Sequence, residues 1–195
     1  MDSDTRLIET IRQNCEVRGW YGADLRGPEW ENALAADDPR KTHFQFPTAS
    51  LAQLQKTEML LGFALPPFLR MIYTKIANGG FGPAYGIRGA IDGFADATGT
   101  IVQHYQSLCE DRSLLDLQLG AEVAQDSSEL VIPFEQWPRG LFSICEWGCA
   151  IQISLDSATG RIYRVEPSRD GYHITHEAES LQAWIEQWIH AKRSV

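Results

Sequence analysis

Residues 61–86 read LGFALPPFLRMIYTKIANGGFGPAYG, and the punctuation of this stretch specifies a helix, a glycine corner and an extended segment, in that order. Pro66 and Pro67 lack the N–H groups that a first helical turn leaves unpaired anyway, so the pair marks a helix start. Phe68, Leu69, Ile72, Tyr73 and Ile76 then recur at helical spacing. Asn78, Gly79 and Gly80 follow at once and tolerate left-handed backbone, so the helix is expected over 66–77 with Gly79 capping it at positive φ. Phe81-Gly82-Pro83 turns the chain, and residues 85–91 are expected to form a strand.

The glycines do not form a phosphate loop. Gly80, Gly82 and Gly86 miss the G-x-G-x-x-G spacing by one residue, and the segment follows a helix where the dinucleotide fingerprint follows a strand. A structural corner is the expectation.

Working outward, Leu7, Ile8, Ile11 and Cys15 share one face of a first helix that Thr5 or Asp4 is placed to cap. Residues 19–48 carry Gly19, Gly22, Gly27, Pro28, Pro39 and Pro47 among two tryptophans, which predicts a long irregular excursion with one short helix near 29–36. Loops of this length are often functional. Ser50 caps a helix through Leu51, Leu54 and Leu61, and Ile101, Val102, Tyr105, Leu108 and Cys109 line an amphipathic helix within 97–115.

Beyond a polar stretch, residues 130–134, 141–146, 150–155, 161–165 and 172–175 are short runs rich in Ile, Val, Phe and Tyr, bounded by Pro, Gly, Asp and Ser. Ile151, Ile153 and Leu155 alternate with Gln152 and Ser154, which predicts one covered and one wetter sheet face. Residues 156–160 form a hairpin loop, and Leu181, Trp184, Ile185 and Trp188 mark a closing helix. The order is α+β, an antiparallel sheet of about five to six strands flanked by helices.

At 195 residues, 44% hydrophobic and 22% charged, the chain is expected to fold as a single domain, 1–195, without staples. It contains no apolar run of membrane-spanning length, and its polar, acidic beginning is unlike a signal peptide. Cys15, Cys109, Cys145 and Cys149 are too few and scattered for a secreted disulfide scaffold, so a cytoplasmic location is expected. Cys145 and Cys149 would supply half a zinc site, but no second pair completes it; the two read as buried small apolar residues, with no metal and no cofactor.

Catalytic constellations are not legible. The chain has no G-x-S-x-G elbow, no H-E-x-x-H and no Walker loop. His173 and His176 are three apart on a strand and so face opposite ways, which disfavours joint metal binding. His104, with Glu110 and Asp111 nearby, offers a conceivable acid/base pair, although a solvated helix face accounts for it more simply. No catalytic residue is assigned.

Charge is more informative. The formal net charge is −9, and residues 101–150 alone hold eight acids against two bases. Within 110–135 the acids are Glu110, Asp111, Asp116, Glu122, Asp126, Glu129 and Glu135, and Arg112 is the only base. Such a field repels nucleic acid and attracts basic protein surfaces. Asp116, Glu122, Asp126 and Glu129 are therefore candidate partner contacts, with Trp20 and Trp30 as candidate aromatic anchors. The simpler account is a polar loop that only aids solubility.

These residues resemble the SUKH superfamily, the Smi/Knr-type domains of fungal cell-wall regulators and bacterial immunity proteins. Gly62 of the LG pair, Pro66 of the LP pair, Tyr73, and Asn78-Gly79-Gly80 are similar to its landmarks. So are Trp147-Gly148, the strand-turn-strand through Gly160, and the closing helix over 180–189. The resemblance covers most of the chain from about residue 50 and implies a strongly bent sheet and structural roles for these landmarks. It also implies a non-enzymatic binding domain, an immunity protein that occludes a cognate toxin, which in this superfamily is often a nuclease. The alternative it implies is a regulatory or scaffold module in a signalling or cell-wall complex. Fungal members usually carry long disordered flanks, and this chain ends soon after its last helix, which favours the immunity branch.

Overall fold

The computed structural model describes residues 3–18, 46–123 and 129–190. Its helices are α1 (Ser3–Arg18), α2 (Leu51–Leu61), α3 (Pro67–Lys75), α4 (Ile101–Glu110), α5 (Leu119–Glu122) and α6 (Leu181–His190). Its strands are β1 (Ser113–Leu115), β2 (Leu130–Ile132), β3 (Gln136–Pro138), β4 (Leu141–Gly148), β5 (Ile151–Asp156), β6 (Ile162–Pro167) and β7 (Tyr172–Ala178). The expected excursion over 19–48 and its short helix fall almost wholly outside the described residues.

The main sheet is antiparallel, in the order β2-β7-β6-β5-β4, and a second small sheet pairs β1 with β3 in parallel. Helices pack on this frame: α4 against β4 and α2, α6 against β7, and α1 against α3 and α6. The five strands expected beyond residue 129 are present, the one expected over 85–91 is not, and the α+β class holds. The expected strong bend is not: the sheet is not curled. Register shifts are confined to two places in the β4–β5 ladder and one between Ile162 and Tyr163, so bending stays local.

Two capping boxes start helices, one at the expected Ser50 and one at Thr100, which shortens the helix expected within 97–115 to 101–110. Ser50 Oγ accepts from the Gln53 N–H while the Gln53 side chain accepts from the Ser50 N–H, and Thr100 and Gln103 repeat the device at α4. At α1 the helix already begins at Ser3, so Asp4 lies inside the first turn, where its charge suits the helix dipole.

The glycine corner is real but differs in detail. The helix ends at Lys75 with Ile76 as its cap, and that residue is right-handed. Gly79 and Gly80 do hold positive φ, +82° and +80°, but several residues past the helix end, so they shape the corner and do not cap the helix. Asn78 organises the turn: its Oδ1 accepts from the Ala90 N–H at 2.8 Å, its Nδ2 donates to the Ile91 carbonyl at 3.2 Å, and its own carbonyl accepts from the Phe94 N–H at 2.9 Å.

Residues 85–91 form no ladder of their own. Ile87 makes an isolated bridge to Cys145, the Arg88 N–H donates to the Ile144 carbonyl at 2.7 Å, and the Tyr85 N–H donates to the Glu146 carbonyl at 3.4 Å. This segment covers the outer edge of β4, and glycines on either side keep it too short to continue.

The core joins both layers. Phe63 packs edge-on to Tyr105 and against Phe142, and the Tyr105 hydroxyl accepts from the Gly140 N–H at 3.1 Å. The alternation expected for β5 fails at its C-terminal half, where Ile153, Ser154, Leu155 and Asp156 are all buried. Leu141, Phe142, Ser143, Ile144 and Cys145 on β4 are likewise all buried, so the sheet is covered on both faces here.

Candidate interaction surface

The acidic stretch is built from the end of α4 through the small parallel sheet to β2. Arg112 follows directly on α4 and turns back: its guanidinium donates to the Leu108 carbonyl at 3.0 Å and to the Tyr172 hydroxyl at 3.0 Å, and it lies 5.7 Å from the centre of the Tyr172 ring. A cation there satisfies the exposed carbonyls of a helix C-terminus. The single base of the stretch is thus spent on its own fold, while Glu110, Asp111, Asp116, Glu122, Glu129 and Glu135 are all exposed.

Pairing of β1 with β3 brings Glu135 level with this point, since the Ser113 N–H donates to the Glu135 carbonyl at 2.8 Å. At the other end, Asp116 meets Arg139 at 2.6 Å, with side-chain exposures of 78% and 56%. A pair that open to water neutralises charge without adding much stability. Glu122 is exposed at the end of α5.

Glu129 takes part in a different arrangement. His173 on β7 meets Glu129 through Nδ1 at 2.8 Å and Asp170 through Nε2 at 2.9 Å. Both contacts need a ring N–H, so the pair of carboxylates raises the His173 pKa above its ordinary value, Asp170 contributing most. Among the candidate contacts, no ion pair or hydrogen bond joins Asp116, Glu122 and Glu129 to one another. Asp126, Trp20 and Trp30 lie outside the described residues. Asp170, which meets Glu129 at His173 from the β6–β7 hairpin, escaped the sequence reading because it is distant in the chain, and Glu166 beside it is ion-paired with Arg164.

A second polar cluster is buried. Arg88 is wholly buried and meets Asp96 at 2.6 Å, Thr98 at 2.8 Å, Gln152 at 3.0 Å and the Ser143 hydroxyl. The Tyr73 hydroxyl donates to the Arg88 carbonyl at 2.5 Å. Burial, assisted by Arg88, lowers the His104 pKa to about 4, with Asp96 opposing. His104 is therefore neither on a solvated face nor paired with Glu110, which is exposed at the far end of α4. The guanidinium is matched by four side-chain acceptors on three segments, which describes a structural ion pair. Local sequence carries no hint of it, since a lone Arg beside Gly89 has no pattern.

The remaining landmarks and candidates are placed plainly. Gly62 closes α2 at φ +81°, Pro66 precedes α3, and Gly160 closes the β5–β6 turn at φ +75°. Gly148 enters the β4–β5 turn at φ +97°, and Trp147 beside it is 39% exposed, tilted against Trp184 at 6.4 Å. Cys145 is buried and its thiol is pushed up to about 12 by desolvation. Cys149 is exposed, contrary to the expectation that both it and Cys145 are buried. No group of His, Cys, Asp and Glu among the described residues could hold a metal ion. No helix among them is long and apolar enough to cross a membrane.

No curated protein matches the chain. A family model does, over residues 48–187, from the segment before α2 into α6 and across the corner, both sheets and the buried Arg88 cluster. That span is well over half of the sequence, and the chain belongs to the SMI1 / KNR4 family (SUKH-1).

Proposed function

We propose that this protein is a non-enzymatic binding domain that acts as an immunity protein, neutralising a cognate bacterial toxin by direct docking of an acidic surface on a basic one. Family membership supports a binding domain, since domains of this family are generally non-enzymatic. The observation that carries the acidic contact is Arg112: the one base within 110–135 bonds the Leu108 carbonyl and the Tyr172 hydroxyl and no carboxylate among the described residues, so the stretch stays net acidic even with Asp116 paired to Arg139 and Glu129 to His173. A nuclease, whose substrate cleft is basic, is the fitting target class. The family description itself supports a second reading, a Smi/Knr-type regulatory or scaffold module, which the same surface would serve.

The test is reversal of Asp116, Glu122, Asp126 and Glu129 together to Lys. Electrostatic steering predicts association with a cognate toxin at least about tenfold slower, a rate that also falls steeply with salt in the parent, and loss of protection of a toxin-expressing cell. A folded quadruple variant that binds at the parental rate and still protects would reduce the acidic stretch to a solubility device. Absence of any toxin partner, with binding to a cellular regulator retained, would favour the scaffold reading.

A further inference from the structure

Protonation decides what the two contacts of His173 are. A neutral imidazole carries one ring N–H and one lone pair, and only the imidazolium carries two N–H donors. Carboxylates stand on both nitrogens here, Glu129 at 2.8 Å from Nδ1 and Asp170 at 2.9 Å from Nε2, so both contacts are hydrogen bonds only while the ring is charged. With one proton gone, one carboxylate faces a lone pair. The carboxylates sit on opposite nitrogens and do not converge on a metal ion.

The two carboxylates come from segments held with unequal firmness. Asp170 lies three residues before His173 in the β6–β7 hairpin, whose turn is closed by the Ser168 N–H donating to the Gly171 carbonyl at 2.8 Å. Glu129 is remote in sequence and stands directly before β2, a strand of three residues that pairs only with β7 among the described residues. By strand alternation Glu129 shares its face with Val131, the register partner of His173. On the other flank, Glu166 of β6 is in register with His173 but is ion-paired with Arg164. Thr175, on the same face of β7, is uncharged and in register with that arginine. Glu129 and Asp170 are therefore the charges that hold the ring.

We propose that His173 is a pH-operated latch: as imidazolium it ties the start of β2 to the β6–β7 hairpin through Glu129 and Asp170, and on losing its Nδ1 proton it lets Glu129 go while keeping Asp170. Release leaves two carboxylates with no cation between them, which drives the start of β2 away from the hairpin. The sign follows from the same charges. They raise the His173 pKa above the ordinary 6.5, so the latch is fully closed below that value and opens as pH rises through the raised one. Ion pairs open to water add little to global stability, but the end of a short strand opens locally at small cost, so a weak coupling is readable there.

The test titrates the full chain at low ionic strength from about pH 5 to about pH 9, following the ring nitrogens of His173 by NMR and amide exchange in β2, with the amides of β5 as the reference that cancels the intrinsic pH dependence of exchange. The latch predicts that Nδ1 loses its proton first, with a midpoint above 6.5, and that protection within 130–132 falls by at least about threefold relative to β5 over that same titration. Glu129→Gln, which keeps an acceptor but not the charge, should lower the midpoint and carry the loss of protection down with it. Glu129→Ala should leave protection within 130–132 low and independent of the His173 titration. The parent measurements decide the matter even if a variant fails to fold. Protection that stays constant through the ring titration, a midpoint at or below 6.5, or a pH-dependent loss that persists in Glu129→Ala overturns the proposal.

Discussion

Gly79 shows how one position can be decided by space as well as by torsion. Its φ is +82°, and a Cβ built there would lie 2.5 Å from the Gly89 nitrogen and 2.7 Å from the Ile87 carbonyl oxygen, both backbone atoms that cannot swing aside. Gly62 has nearly the same φ, +81°, with nothing within 4 Å. Gly79→Ala should therefore cost roughly 3 kcal/mol or more and Gly62→Ala about 1 kcal/mol, because only the first adds steric conflict to the left-handed penalty. Urea midpoints of the two variants measure the difference, and equal shifts would refute the close approach. His104 makes a pH-dependent contribution. Its folded pKa of about 4 lies below the ordinary 6.5, so between those values the unfolded chain binds a proton that the folded chain refuses. That stability is fully present above about pH 6.5 and is lost as pH falls toward 4, with a slope of up to about 1.4 kcal/mol per pH unit. His173 acts with the opposite sign, its raised pKa giving stability present at low pH and lost as pH rises through it. Urea unfolding from pH 4 to 7 should show a shallower acid loss in His104→Gln than in the parent, with His173 common to both.

Among the elements, the β4–β5 hairpin is locally the least suited to its conformation. Cys149 and Ala150 occupy its turn at φ +53° and +63°, where an Asn followed by a Gly is the usual solution, and Gly148 pairs directly with Ile151 around them. Combining Cys149→Asn with Ala150→Gly should stabilise the protein by about 1 kcal/mol, since both positions then carry residues that tolerate left-handed backbone. A lower melting temperature for the double variant would contradict the turn geometry. The capping boxes at Ser50 and Thr100 are the reverse case, where local chemistry and observed structure agree: the reciprocal Ser/Thr and Gln partners lie three residues apart, and the sequence reading placed the first cap but not the second. The small parallel sheet was not readable. Each of its strands is three residues long, and β3 ends on Pro138, so neither shows a period of its own; Ser113 and Gln136 meet only because the chain between them folds back.

At the scale of the whole molecule, charge sets both solubility and the cost of compactness. Four Asp or Glu to Lys reversals each add two charges, so the quadruple variant moves from −9 to −1. The contacts it loses, Asp116 with Arg139 and Glu129 with His173, are solvent-exposed and worth little, whereas relief of self-repulsion acts across the chain. Its melting temperature at low ionic strength should equal or exceed that of the parent, with the gap closing as salt rises. A variant that instead melts well below the parent at every salt concentration would mean that these carboxylates hold the fold together, and its binding defect would then say nothing about docking.

What the residues determined by themselves is whatever depends on near neighbours in the chain. The Pro66-Pro67 start, the positive φ of Gly79, the turn closed by Gly160 and the apolar stripe through Leu181, Trp184, Ile185 and Trp188 each rest on backbone torsion or on a period of a few residues. The concentration of acids within 110–135 was equally visible, because charge is counted without knowing where it points. Tertiary structure decided the rest. It buried Arg88 against Asp96, Thr98, Ser143 and Gln152, turned Arg112 inward, set Asp170 and Glu129 on the two nitrogens of His173, and covered the outer edge of β4 with residues 85–88. Each of these outcomes joins residues from separate segments, and only the packing of those segments fixes which partner a side chain reaches and whether water reaches it too.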